Sequence, residues 1–276
     1  MLSKNAEKMF HPDSGRCINI AMDLGVFGAR SFSNGIEDLP SAFATIAGAS
    51  PDVIQVNPGG FRTLKDAGLA ENQVVALRLD VTNVYEPRVV EKAWDTAHPN
   101  TLADADHPSV GCVVLNLLEV DSDAALQEQC ISNIQEIGAL ALARGISLMV
   151  EPLVMTGNPE GGSSSVSDPE KIATLVRQAV ELGADIIKVD PVEPMERFAE
   201  VVEIAHPIPV LVRGGGKVTT RELLERTKTA VEVGARGVVY GRNVVQHPNP
   251  ATLVAVLQAI VHQDASVDEA LALVKE

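Results

Sequence analysis

Lys188 interrupts the run "GADIIKVDPVEP" (183–194), which otherwise reads as the dry interior of a parallel sheet. Valine and isoleucine dominate such strands because both faces are covered. An ammonium placed there loses hydration, and its pKa falls unless an anion compensates. A lysine freed of its proton in this way is a nucleophile toward carbonyl carbon. Seven further polar residues sit at the ends of similar runs: Asp23, Arg78, Asp80, Asn116, Glu151, Asp190 and Arg213. Glu151 is the general acid/base candidate, Asp23 and Asp80 are suited to relaying a proton or binding a hydroxyl, and Arg78 and Arg213 to orienting an oxyanion or carboxylate. Asn116 and Asp190 complete the expected substrate-binding set.

Other chemistry finds little support. The histidines at 11, 98, 107, 206, 247 and 262 form no HxH or HExxH pair, so no metal site is expected. There is no GxSxG elbow and no Walker A loop. No cofactor is called for.

The elements that must position these residues are legible. Strands are expected at 17–23, 52–57, 74–80, 111–116, 146–151, 185–190, 208–214 and 236–241, with helical periodicity filling the gaps. Asp168-Pro169 reads as an N-cap and first turn, Thr219 with Glu222 as a capping box, and Ser266 with Glu269 as the start of a final helix. Eight β-then-α units in about 250 residues predict an α/β fold, a (β/α)8 TIM barrel with an extra C-terminal helix, as one domain over 1–276. An open doubly wound sheet would want GxGxxG after strand one, where "MDLGVFG" stands instead.

Side chains alternate along a strand, and in strands one, three, five, six and seven one parity is purely apolar and must face the helices. The polar set therefore points into the barrel at its C-terminal end, where barrels of this architecture carry their active sites. A salt-bridge network that only fills the barrel is the competing reading for each Asp or Arg. Lys188 is distinguished by its apolar walls and two arginine neighbours, both of which push a lysine toward neutrality.

Two loops add an anion site. "VRGGGKVTTRE" (212–222) follows strand seven and "YGRNVVQHPNP" (240–250) follows strand eight. Consecutive glycines expose backbone N–H groups, Arg242 adds a forked cation, and loops seven and eight are where barrels commonly bind phosphate. A tight turn and an arginine paired to an acidic helix would read the same way. "GGSSS" (161–165) is either a lid or a flexible connection.

The chain has 276 residues, 46% of them apolar, and a net charge of −15. That balance argues against nucleic-acid and anionic-membrane partners. Three widely spaced cysteines, a polar opening and no long apolar run predict a soluble cytoplasmic protein.

"GADIIKVD", "PVLVRGGGK" and "GARGVVYGRNVVQHPNP", in this order, resemble the class I aldolases of the archaeal fructose-bisphosphate type, whose relatives include tagatose-bisphosphate aldolases and an autoinducer-2-phosphate thiolase. The resemblance implies a Schiff base on Lys188, a phosphorylated sugar as substrate, a phosphate site at Gly214, Gly215, Gly241 and Arg242, and a strand-one aspartate at Asp23. It also implies a homo-oligomer. Three departures stand out: Leu24 replaces the histidine of "DHG", Glu151 replaces a strand-five tyrosine, and Arg213 stands where deoxyribose-phosphate aldolases carry a second lysine. The chain is also similar to an aldolase-like family of actinobacterial inositol-catabolism clusters, which implies 6-phospho-5-dehydro-2-deoxygluconate as substrate. A non-catalytic sugar-phosphate binder and a thiolase-like transferase are the alternatives to cleavage of a C–C bond.

Overall fold

The computed structural model describes residues 2–86, 92–121, 123–159 and 161–273. Eight parallel strands form the barrel: β1 (Cys17–Ala21), β2 (Val53–Val56), β3 (Val74–Arg78), β4 (Val110–Val120), β5 (Ser147–Gly157), β6 (Ile186–Val189), β7 (Val210–Arg213) and β8 (Gly237–Tyr240). They run in the order β4-β3-β2-β1-β8-β7-β6-β5, and pairing of β4 with β5 closes the ring. Every barrel pairing is parallel, so each strand carries its C-terminal end to the same rim. The fold is the expected (β/α)8 barrel with an added C-terminal helix, Val267–Ala272.

Local chemistry sets the helix starts. Asp168 accepts from the N–H groups of Glu170 and Lys171, and Thr219 and Ser266 each make a reciprocal capping box with the glutamate three residues on. Such caps satisfy first-turn N–H groups, each worth about 1 kcal/mol.

The third unit departs from the expected β-then-α pattern. After β3, the short strand Asp80–Thr82 pairs antiparallel with Asp95–Ala97, and Pro99–Asp106 turns in 3₁₀ fashion. Pro99 takes the first position of that turn, where no N–H is needed, and Pro108 stands just past its end, so the turn cannot run on. Strands β4 and β5 are also longer than expected, pairing as far as Val120 and Met155. On that extension the "SSS" of 163–165 forms a short antiparallel strand against Met155–Gly157. This pairing ties the serine segment to the rim of β5.

Alternation separates two apolar populations. The larger lies between strands and helices and includes Ile18, Ile20, Leu77, Val113, Leu148, Ile187 and Val212. The smaller fills the lower barrel with Cys17, Val53, Ala76, Cys112, Met149, Ile186, Leu211 and Val239. Fully burying an aliphatic side chain contributes roughly 1.5–3 kcal/mol, so both layers matter to stability.

The opening segment plugs the floor. Ala6 and Met9 are fully buried in the lower layer, and the Ser3 N–H donates to Ser147 Oγ at 2.9 Å. Gly111 makes room, since a Cβ there would meet Met9 Cγ at 2.7 Å.

Candidate active site

At the open rim, the inward-facing ends of seven strands build one charged cluster. Lys188, on β6, is 4% exposed. Its Nζ lies 2.8 Å from Glu151 Oε2 on neighbouring β5 and donates to Gln55 Oε1 at 3.4 Å. Gln55, from β2, donates through Nε2 to Asp23 Oδ2 at 2.7 Å. Asp23 also accepts from Arg78 Nε, and the other end of that guanidinium, Nη2, donates to Glu151 Oε2. Lys188, Gln55, Asp23, Arg78 and Glu151 thus close a circuit of buried contacts.

Two further sets brace the circuit. Arg78 Nη1 donates to Asp80 and to Asn116, whose backbone N–H donates to Asp80 Oδ2 at 2.6 Å. Arg213 Nη1 lies 2.8 Å from both Asp190 oxygens, its Nε 3.0 Å from Glu151 Oε1, and its Nη2 donates to the Tyr85 hydroxyl at 2.8 Å. Asp95, on the hairpin that replaces the third helix, accepts from Asn116 Nδ2 at 3.0 Å.

Charge follows from this packing. Burial pushes the Lys188 amine below the usual lysine range, opposed by Glu151 but reinforced by Arg78 and Arg213. Burial alone would raise Glu151, yet Lys188, Arg78 and Arg213 together bring it down to about 2. Burial and the nearby Asp80 charge push Asp95 well above the ordinary carboxylate range. Arg78 keeps its charge because Glu151, Asp23 and Asp80 outweigh its desolvation. The arrangement is an ionised carboxylate facing an amine whose proton is loosely held.

The pocket above is lined by Asp23, Glu151, Lys188, Arg213, Gly214, Gly215, Gly241 and Arg242, with Leu24, Phe27 and Phe32 over it. Gly215 takes a left-handed φ of 60°, and the N–H groups of Gly215 and Gly216 donate to no other group among the described residues. Asn243 shapes this turn by donating to the Gly214 and Gly216 carbonyls and accepting from Val218 N–H. Arg242 lies 4.2 Å from the centre of the Phe32 ring. Free amides beside a guanidinium make a cradle suited to phosphate.

The expected residues therefore fall into two groups. Lys188, Glu151, Asp23, Arg213, Gly214, Gly215, Gly241 and Arg242 line the pocket. Arg78, Asp80, Asn116 and Asp190, expected to contact substrate, line none of it; each is at most 3% exposed, Arg78 and Asp190 hold lining residues in place, and Asp80 and Asn116 hold Arg78. Alternation gives the direction of a side chain but not its depth, and Arg78 stops where its own carboxylate partners meet it. Three residues escaped the sequence reading: Gln55, Tyr85 and Asn243. Gln55 was within reach, as a polar side chain on the inward parity of strand two. Tyr85 and Asn243 lie outside the strands, where no periodicity marks them. Leu24 lines the pocket at the position where the resemblance has histidine.

Cys17 and Cys112 are buried low in the barrel, and burial pushes both thiols up, which leaves them unreactive. Among the described residues no group of three His, Cys, Asp or Glu is arranged to hold a metal ion, and no helix is long and apolar enough to cross a membrane.

Known proteins agree with this architecture. An uncharacterised aldolase of Saccharolobus solfataricus is 32% identical over 268 residues, spanning 95% of this chain and 96% of its own. The 3-hydroxy-5-phosphonooxypentane-2,4-dione thiolase of Escherichia coli is 27% identical over 272 residues, spanning 99% and 86%. An archaeal fructose-1,6-bisphosphate aldolase, solved with its catalytic lysine bound to the carbinolamine of its substrate, superposes with a TM-score of 0.74 at 22% identity, over 94% of this chain and 99% of that one. The DeoC/LacD family aldolase model matches residues 17–247, and the chain belongs to that aldolase family.

Proposed function

We propose that the protein makes or breaks a C–C bond in a phosphorylated keto-sugar or keto-acid through a Schiff base on Lys188. The observation that carries this reading is the buried Lys188–Glu151 pair, 2.8 Å apart beside a pocket whose other end is the glycine cradle. The phosphate seats on Gly214, Gly215, Gly241 and Arg242, which brings the ketone to the amine.

The steps balance with the residues present. Lys188 passes a proton to Glu151 and attacks the ketone carbon as a neutral amine, and a proton moves from the attacking nitrogen to the oxygen to give a carbinolamine. Loss of the ammonium charge removes one of the three cations that hold Glu151 low, so Glu151 can hold that proton for the next step. Protonation of the hydroxyl expels water and leaves a cationic imine. The bond one carbon further breaks, its electron pair moves into the enamine, and the proton of the departing hydroxyl passes to Glu151 or Asp23 as an aldehyde forms. Reprotonation and hydrolysis release the second product. Asp23 is suited to share this proton traffic because Gln55 links it to the lysine.

Borohydride reduction in the presence of phosphosugars, followed by peptide mass spectrometry, tests the reading. A panel that includes fructose 1,6-bisphosphate and 6-phospho-5-dehydro-2-deoxygluconate ranks substrates by adduct yield on the Lys188 peptide. Absence of an adduct across the panel, with turnover intact, counts against the imine. A second reading is acyl or carbon transfer through the same lysine, supported by the full-length similarity to the E. coli thiolase. Product analysis separates the two, since an aldehyde product belongs only to cleavage.

A further inference from the structure

Five buried carboxylates stand at the rim, and four of them contact a cation. Asp23 and Asp80 meet Arg78, Glu151 meets Lys188, and Asp190 meets Arg213. Asp95 is 0% exposed and, among the described residues, contacts no cation. An ionised carboxylate left alone in such a place is very costly, and it takes up a proton instead.

What Asp95 meets is a pair of amides and a second acid. Its Oδ2 accepts from Asn116 Nδ2 at 3.0 Å, and its Oδ1 accepts from Asn133 Nδ2, on the helix Ala124–Ala143, at 3.0 Å. The third partner is the Asp80 side chain, to which it is hydrogen-bonded. Two carboxyl groups can bond in this way only when one of them carries a proton. Asp80 already receives a charged donor, Arg78 Nη1 at 2.8 Å, and the Asn116 N–H at 2.6 Å, both of which favour its ionised form. The amides on Asp95 are neutral. The proton therefore sits on Asp95, which burial and the Asp80 charge push well above the carboxylate range. Cys130, which faces Asp95 from the same helix, is kept a neutral thiol by burial.

Resting on the reading that substrate reacts at Lys188, we infer that Asp80 and Asp95 share one proton and that Asp95, through Arg78, positions the two carboxylates beside the amine. Arg78 Nη1 donates to Asp80 and to Asn116, and Asp95 grips both of these acceptors. The other nitrogens of the guanidinium hold Asp23 and Glu151. The O–H of Asp95 thus ties the hairpin to β4 and, two contacts away, fixes the aim of both proton carriers. Ionising Asp95 would set two like charges at hydrogen-bond distance and undo that grip. Asp95 lines no part of the lysine pocket, so it is a positioning residue.

Infrared spectroscopy of the intact protein reads the proton directly. The carbonyl stretch of a protonated carboxylic acid, shifted in D2O, is expected at neutral pH in the wild type and is expected to vanish in Asp95→Asn. Turnover is followed with fructose 1,6-bisphosphate or 6-phospho-5-dehydro-2-deoxygluconate, whichever labels Lys188 better. Asp95→Ala is expected to lower kcat by about 10–100-fold with KM within about twofold. Asp95→Asn, which keeps an N–H for Asp80, is expected to restore kcat to within about threefold of wild type. Should the alanine variant lose its fold by circular dichroism, Asp95→Leu, closer to the acid in size, takes its place. A wild type without the band, or a band that survives in Asp95→Asn, overturns the shared proton. Unchanged kcat on loss of the acid, or no rescue by asparagine, overturns the positioning role. The band is read without substrate, so it stands apart from the lysine mechanism: a band without a borohydride adduct overturns the imine and keeps the shared proton, and an adduct without a band does the reverse.

Discussion

Lys188 Nζ and Glu151 Oε2 stand 2.8 Å apart, with side chains only 5% and 1% exposed. A surface pair at that distance is worth little, but here each partner sets the protonation of the other. Lys188→Met removes the nucleophile and is expected to lower kcat by on the order of 10⁴-fold or more, with no borohydride adduct. Glu151 retains Arg78 and Arg213, so the variant should stay folded, which circular dichroism checks.

Glu151→Gln acts on the lysine as well as on the proton transfers. Glu151 raises the Lys188 pKa against burial, so its removal lets the amine deprotonate at lower pH. The rate of borohydride trapping, followed against pH, is expected to rise at a lower pH than in the wild type. Turnover should still fall by about 10²–10⁴-fold, since general acid–base catalysis is lost. A trapping profile that moves to higher pH contradicts the assignment.

The same residue makes a pH-dependent contribution to stability. Its folded pKa, about 2, lies below the ordinary glutamate value of about 4.3. The stabilisation is therefore complete above about pH 4.3 and is lost as pH falls toward 2; it amounts to on the order of 3 kcal/mol. Asp80 and Asp95, raised by burial, act in the opposite sense, and a difference between wild type and Glu151→Gln separates the two. Urea midpoints at pH 5, 4 and 3 should converge between the two proteins as pH falls.

Gln55→Leu opens the circuit at its one uncharged member. Asp23 keeps Arg78, while Lys188 loses its acceptor on β2. Stability is expected to drop by about 1–2 kcal/mol in denaturant unfolding, with slower trapping at Lys188. Gln55→Glu, which adds a carboxylate beside the amine, should raise the Lys188 pKa and shift trapping to higher pH.

Arg242→Ala removes the cradle's cation but leaves its glycine amides. The KM for phosphorylated substrates is expected to rise about tenfold or more, with kcat less affected, because the contact is made before and during reaction. Trapping with saturating substrate should still label Lys188.

Much of this was written in the chain. Ile186, Lys188 and Asp190 alternate with Ile187 and Val189, and that period alone aims the lysine inward. The caps at Asp168, Thr219 and Ser266 stand where side-chain chemistry places them. The third crossover was not legible, because apolar residues between 81 and 110 have a pattern that fits helix or strand until hydrogen bonding decides. The depth of Arg78 was not legible either, being fixed by Asp23 after β1, Asp80 on the short strand after β3 and Glu151 on β5, which only the fold brings together. Gln55 carries no charge to mark it, yet its amide bridges Lys188 and Asp23.

The floor plug has a consequence in time. Ser3 meets Ser147, 144 positions later, and Met9 packs against Gly111. On a ribosome residues 3–9 emerge before β4 and β5, so their seat does not yet exist when they appear. Residues 3–9 precede that seat by about half the chain, so they dock only after it has been made. Contacts this distant in sequence slow folding, because the loop between them must close before they form.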